Sequence, residues 1–283
     1  MDAMRLDQFM ELYPLFSEDF NVEIQPSVSL IPSATPYSRN AIFSGMFPDE
    51  MCEKYPEQKE DMINDKGSLN NHEKKFLLDQ LNRNDLTQKT LHYHKIWVVS
   101  EGNRFLSKIK NYFNYDIISI VVNFVDQLAH RRSESDVLKE MVPDETSYRK
   151  AVRSWYQNSW IRGVLSELQK KGYNVVVTSD HGSIMVNESS IVKADRNSSS
   201  GVRYKHGMNI NSSDKSSIDI RNLKEFRLPE LGLRSNYLIA KDDYFFLYPN
   251  QQRKYTNLLE KSFQHGGISL EEMMVPVFIM NPK

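Results

Sequence analysis

Asp126 and His130 stand four residues apart, Asp180 and His181 are adjacent and followed by Gly182, and His265 opens a His-Gly-Gly triplet. With Asp2 and Thr35 they form a set of three aspartates, three histidines and one threonine. All are oxygen or imidazole donors of the kind that hold zinc or manganese, with no thiolate among them. The four-residue spacing lets an aspartate at a strand end and a histidine one helical turn later face the same ion. The adjacent pair 180–181 can share an ion only where the backbone turns sharply, which Gly182 permits. So many ligands fit two metals better than one.

The elements that must position these residues can be read from the apolar runs around them. Ile117 to Val125 ends in Asp126, and Asn174 to Ser179 ends in Asp180. Met274 to Met280 follows the His265 segment. Continuous β-branched runs read as strands covered on both faces, as in a parallel sheet. Between the first two, Val152, Trp155, Trp160, Ile161, Val164, Leu165 and Leu168 recur at helical spacing from Ser147 to Lys171, and Gly172 supplies a stop. Strand, helix, strand is a βαβ unit, so the class is α/β. A further strand is expected at 95–100, followed by a helix through Phe105 and Ile109, and another at 236–247. Asp2 precedes the amphipathic Met4, Leu6, Phe9, Met10 and Leu12, and Thr35-Pro36 opens a helix. In open α/β sheets ligands bind beyond the carboxyl ends of the strands, where this set lies.

The 283 residues, 40% hydrophobic and 26% charged, suffice for one large domain or two small ones. A single domain over 1–283 is expected, with a polar helical excursion or insertion at 48–90 and a flexible Ser/Asn/Asp/Lys-rich loop at 187–217. The net charge of -1 provides no global attraction to nucleic acid or anionic lipid, so any such contact is local. The one cysteine, Cys52, excludes an internal disulfide and a Cys-rich zinc module and fits a reducing compartment, so a cytoplasmic protein is expected. No apolar run approaches the roughly 20 residues of a membrane span, and no secretory signal is visible.

Five stretches in order resemble the alkaline phosphatase superfamily, most closely its PglZ-type domain as found at the carboxyl end of PorX-like response regulators. They are Asp2-Ala3-Met4-Arg5-Leu6-Asp7-Gln8, Pro32-Ser33-Ala34-Thr35-Pro36-Tyr37-Ser38-Arg39, Asp126-Gln127-Leu128-Ala129-His130, Thr178-Ser179-Asp180-His181-Gly182, and His265-Gly266-Gly267-Ile268-Ser269 with Glu271, Glu272 and Pro276. The resemblance implies an α/β sandwich with a mostly parallel central sheet flanked by helices and a small insertion or cap. It implies two zinc ions, with manganese as the other candidate: Asp126, His130 and His265 on one, Asp2, Asp180 and His181 on the second. Thr35 would touch the metals and act as the nucleophile, through a phosphothreonine intermediate. It further implies phosphodiester cleavage of cyclic or linear oligonucleotides by the effector domain of a two-component response regulator, with a sensor kinase among its partners. The family's sheet has a strand running into the aspartate that matches Asp2, whereas only Met1 precedes it here, so a truncated form lacking that strand and the receiver domain is expected.

Arg203 and Lys205 are placed as in the family and are candidates for binding substrate phosphate, with His206 a weaker one. His92 and His94 alternate as on a strand and read as solvent-facing histidines beside the core, His72 receives no role, and Tyr244 to Tyr248 reads as core. A different class of function is a metal-stabilised regulatory or protein-interaction module without hydrolysis, in a signalling or phage-defence system. Within the superfamily, phosphomutase chemistry shares the His-Gly-Gly stretch, whereas a sulfatase would carry a modified Cys or Ser where Thr35 stands.

Overall fold

The structure is a computed structural model describing all residues except 66, 194–198 and 251, and omitting the side chains of 253 and 254. From the amino terminus come α1 (Leu6–Asp19), β1 (Phe20–Val28), α2 (Thr35–Ser44), α3 (Pro48–Lys54), α4 (Pro56–Asn64), α5 (Glu73–Arg83) and β2 (Leu91–Ile96). The middle of the chain forms α6 (Val99–Lys108), a short 3-10 turn (Ile109–Tyr112), β3 (Ile117–Val122), α7 (Phe124–Glu134), α8 (Asp136–Met141), α9 (Glu145–Asn158), α10 (Trp160–Lys171) and β4 (Val175–Thr178). Then follow β5 (Ile184–Met185), β6 (Glu188–Ile191), β7 (Tyr204–Met208), β8 (Ser217–Ile220), β9 (Ser235–Ala240), β10 (Tyr244–Leu247), α11 (Gln252–Leu259), β11 (Phe263–Gln264), α12 (Leu270–Met273) and β12 (Met274–Pro282). The chain divides into two compact units. The first is Met1–Val28, Leu81–Ser179 and Met274–Lys283; the second is Ser29–Gln80 and Asp180–Met273.

In the first unit β12 lies between β1 and β4 and is antiparallel to both, while β2 and β3 pair in parallel. The α/β class holds, but the mostly parallel sheet does not. Apolar continuity reports burial, not strand direction. Fully buried Phe278 of β12 is packed by Phe9 and Phe16 of α1 at ring distances of 5.3 and 5.9 Å, which a parallel or an antiparallel strand permits equally. The expected helix 147–171 is two helices, broken at Ser159, whose extended backbone (φ -103°, ψ 164°) ends α9 and caps α10. Asp144 caps α9 by accepting from the Ser147 amide, and Gly172 ends α10 in the left-handed region at φ 82°. The strand expected at 95–100 lies earlier, at β2, because α6 has already begun at Val99.

The second unit holds the antiparallel sheet β7–β9–β8, the parallel pair β6–β10 and the antiparallel pair β5–β11. Alternation along β10 divides its side chains: Tyr244 and Phe246 join Val192, Ile210, Leu238 and Ala240, whereas Phe245 and Leu247 join Ile184 and Val186. The 48–90 stretch supplies α3, α4 and α5, which bury Met51, Cys52, Met62 and Phe76, and burial pushes the Cys52 thiol up to about 12. The 187–217 stretch, expected as loop, carries β6 and β7, and its residues 194–198 lie outside the described ones. Among the described residues no helix is long and apolar enough to cross a membrane.

Candidate metal centre

Each unit presents part of the expected ligand set. In the first unit, Asp126 occupies the first turn of α7, just beyond β3, and its Oδ1 lies 3.2 Å from His130 Nε2. That hydrogen bond, with the negative field of Asp126 and Asp2, holds the His130 imidazole above its ordinary pKa. Asp2 is buried and its position is fixed by backbone. Its amide donates to Val122 O at the end of β3 (2.9 Å), while the Met1 amino group donates to Thr178 O of β4 (2.7 Å). Ser179 Oγ donates to Met1 O (2.8 Å) and accepts from the Met4 amide (2.9 Å). Between them Ala3, fully buried, takes the left-handed φ of 57°, a cost of about 1 kcal/mol or more that the surrounding contacts offset. Arg5 bridges Asp7 (2.9 Å) and Glu145 (3.1 Å), anchoring the start of α1 and hence the segment that carries Asp2.

In the second unit Thr35 is the first residue of α2, with Ala34 as its cap and Pro36 next, so its hydroxyl stands where helix amides and dipole favour negative charge. Thr35 Oγ1 lies 3.0 Å from His181 Nε2. The other nitrogen of that ring, Nδ1, is 2.9 Å from the Gly182 carbonyl, which can only accept. The contact therefore places the ring proton on Nδ1 and a lone pair on Nε2. A buried imidazole so oriented can accept the Thr35 proton or hold a metal, and one lone pair serves one of these at a time. Asp180 Oδ2 is 3.7 Å from the same Nε2, both side chains are essentially inaccessible, and the His265 ring stacks on His181 at 4.1 Å.

Polar side chains stitch the three loops together. Ser33 Oγ donates to Gly267 O (2.8 Å) and accepts from the Gly266 amide (3.1 Å), joining the Thr35 loop to the His265 loop. Ser29 Oγ donates to Asp180 O (2.6 Å), and the Gly182 amide to Glu272 O (2.8 Å). Asn70 Nδ2 donates to Thr35 O (3.2 Å), and a buried ion pair between Arg39 and Glu73 (2.5 Å) ties α2 to α5. The glycines after His265 are required by close approach. Gly266 has φ 113° and a Cβ there would lie 2.6 Å from the Tyr204 ring, while one at Gly267 would lie 2.4 Å from Arg203 Nη2.

Arg203, expected at substrate phosphate, has a different task. Fully buried, it donates from Nε and Nη2 to the two Glu272 oxygens (2.7 and 2.8 Å), from Nη2 to Asp242 O (2.8 Å) and from Nη1 to Tyr244 O. Glu272 in turn accepts from the amides of Gly267 (2.8 Å) and Ser269 (3.1 Å), so the pair clamps the loop that carries His265. Lys205 is also buried. Its ammonium donates to Ser199 O (3.0 Å) and lies 4.5 Å from the Tyr248 ring centre, and burial lowers its pKa to about 8. His206 beside it is pushed down to about 4, again by burial. His92 and His94 do not face solvent as expected. His92 stacks on Tyr112 at 3.9 Å and His94 packs on Phe105 at 4.9 Å, and desolvation lowers the His94 pKa. Asn70 and Glu73 belong to no motif, so nothing in their spacing marks them beforehand.

The donor set fits a metal: buried or half-buried imidazoles and carboxylates, one imidazole with its tautomer fixed, and a hydroxyl at hydrogen-bond distance. Both units thus carry candidate metal-binding side chains. No curated protein matches the sequence. Among solved structures the fold is similar to phosphonoacetate hydrolase from Sinorhizobium meliloti 1021 in complex with phosphonoformate (TM-score 0.61, 14% identity), covering 99% of this chain and 88% of that one. The same enzyme in complex with phosphonoacetate gives a TM-score of 0.60 at 13% identity over the same shares. Residues 1–280 match the family model described as the BREX system PglZ alkaline phosphatase-like domain, and the chain therefore belongs to the PglZ family, within the alkaline phosphatase-like class of phosphoric ester hydrolases.

Proposed function

We propose that the chain is a zinc-dependent phosphodiesterase or phosphatase in which Thr35 is the nucleophile, with oligonucleotides as substrates. In this reading Asp126, His130 and His265 are the ligands of one ion, and Asp2, Asp180 and His181 those of the second, as the family resemblance implies, with manganese the alternative metal. The observation that carries the proposal is the 3.0 Å approach of Thr35 Oγ1 to a His181 Nε2 whose partner nitrogen is tied to Gly182. A bound metal would supply the charge that makes the threonine proton labile and offsets charge developing on the phosphoryl oxygens. The chain's own residues do the rest. Thr35 Oγ1 gives its proton to solvent water and bonds to phosphorus as the bond from phosphorus to the leaving oxygen breaks, and that oxygen takes a proton from solvent as it departs. Water then attacks the phosphothreonine and returns Thr35 to its hydroxyl form. The amino end of α2 stabilises the negative charge meanwhile. Lys205 is the remaining candidate for a substrate phosphate, and Arg203 holds the His265 loop. Joined to a receiver domain, the chain would be the output of a signalling protein.

Thr35→Ala tests this directly. Turnover of bis(p-nitrophenyl) phosphate should fall by about 10³-fold or more with metal content and melting temperature unchanged. Persistent turnover would eliminate the threonine nucleophile. A metal-loaded wild type that hydrolyses no phosphoester would instead leave a metal-stabilised interaction module.

A further inference from the structure

Beyond β2 the chain exposes three consecutive apolar residues: Trp97 at 47%, Val98 at 45% and Val99 at 58% of their full accessible surface. A tryptophan left in water is unusual enough to need a reason, and here the backbone around it is held on every side. The Trp97 and Val98 amides both donate to Glu101 Oε2 (2.9 and 3.4 Å). Trp97 O accepts from Gln127 Nε2 (2.7 Å), and Ile96 O accepts from the amide and side chain of Asn123 (3.3 and 3.1 Å). Asn123 caps α7 and Gln127 follows Asp126, so the tryptophan loop is bonded directly to the first turn of the helix that carries Asp126 and His130. β2 and β3 are parallel neighbours, which puts Trp97 and Asp126 beyond the same carboxyl edge. Lys95, two residues back on the same strand face, holds its ammonium 5.2 Å from the centre of the Trp97 ring.

We propose that Trp97, with Lys95 beside it, is the platform on which a nucleobase of the substrate stacks while its phosphate lies toward Asp126 and His130. The inference rests on the phosphodiesterase reading and adds the residues that select the substrate. A rigidly held, exposed indole binds a base at small entropic cost, because the loop is ordered beforehand. Every base offers a ring face, so the platform accepts several sequences, and the lysine complements a neighbouring phosphate. It also reconciles a chain of net charge -1 with a nucleic-acid substrate, since the contact is local and mostly stacking.

The test uses the metal-loaded protein and two diesters with the same leaving group, thymidine 5′-(p-nitrophenyl) phosphate and methyl p-nitrophenyl phosphate. Trp97→Ala should lower the ratio of kcat/KM for the nucleoside ester over the methyl ester by about 10- to 100-fold, chiefly through KM. Trp97→Phe should retain most of the ratio, and Lys95→Gln should lower it less. Independently of turnover, adenosine 5′-phosphorothioate should quench tryptophan fluorescence saturably in the wild type and not in Trp97→Phe. That readout is local because Trp160 is buried and Trp155 stacks on Phe124 at 4.2 Å. An unchanged ratio in Trp97→Ala overturns the proposal. If the wild type cleaves neither diester, the phosphodiesterase reading fails, and the quenching still decides the platform: lost in Trp97→Phe it stands, absent in the wild type it falls. If Trp97→Ala instead abolishes self-association in sedimentation and leaves nucleotide quenching intact, the patch is a protein contact and the proposal is wrong.

Discussion

Glu272→Gln tests the clamp on the His265 loop. The carboxylate accepts four hydrogen bonds: Oε1 from Arg203 Nε (2.7 Å) and the Gly267 amide (2.8 Å), Oε2 from Arg203 Nη2 (2.8 Å) and the Ser269 amide (3.1 Å). Glutamine keeps one oxygen, so whichever way its amide turns, two donors face an NH2 group that cannot accept. It also leaves the guanidinium charge fully buried with no counter-charge, facing only neutral oxygens, those of the glutamine amide and of the Tyr244 and Asp242 carbonyls. Breaking a buried pair on one side costs about 3–5 kcal/mol, against a total stability of about 5–15 kcal/mol. At about 2–4 °C per kcal/mol for a chain of this size, the melting temperature should fall by roughly 10 °C. The assay is urea unfolding of wild type, Glu272→Gln, Arg203→Met and the double variant, with metal content measured on each. The pair should couple by at least about 2 kcal/mol, and Glu272→Gln should lose metal from the His265 ligand set. A single-variant cost below about 0.5 kcal/mol, or strict additivity, would refute the clamp.

Three further outcomes follow from the geometry. His206 is neutral in the fold because burial lowers its pKa from 6.5 to about 4. Its contribution is complete above pH 6.5 and is lost as pH falls toward 4, up to about 3 kcal/mol, and His206→Gln should remove that part of the slope in urea titrations. Gly102→Ala would put a Cβ 2.1 Å from Trp160 Nε1; the overpacking of α6 on α10, about 1–3 kcal/mol, should outweigh the gain in helix propensity in a urea melt. His265→Ala should retain about half the wild-type metal by mass spectrometry with folding intact, and full retention would remove His265 from the ligand set.

Two of the candidate ligand positions were legible because they stand where an apolar run stops, Asp126 beyond Val122 and Asp180 beyond Thr178, and a third because Gly266 and Gly267 after His265 mark a backbone with no room for side chains. Strand direction was not legible: the Met274 to Met280 run reads the same in a parallel or an antiparallel neighbourhood, and only its pairing with β1 and β4 settles it. The break at Ser159 was hidden because the apolar spacing continues across it from Val152 to Leu168. Arg203 was misread for a reason of charge. A basic residue beside a candidate site suggests an anion from outside, and its true partner, Glu272, lies sixty-nine residues away with no periodicity linking the two.

The pairing of β12 bears on how the chain comes to be folded during synthesis. Phe20 is matched with Pro282 and Val28 with Met274, so β1 waits for a strand translated long after it. β4 waits for the same strand. Until residue 282 has cleared the ribosome, the face of Phe9 and Phe16 that will cover Phe278 has nothing to cover, and two strand edges stand open. Closing so long a loop before any contact rewards it makes for slow assembly. Stalling translation a few codons before Met274 should therefore leave a species that aggregates or is degraded.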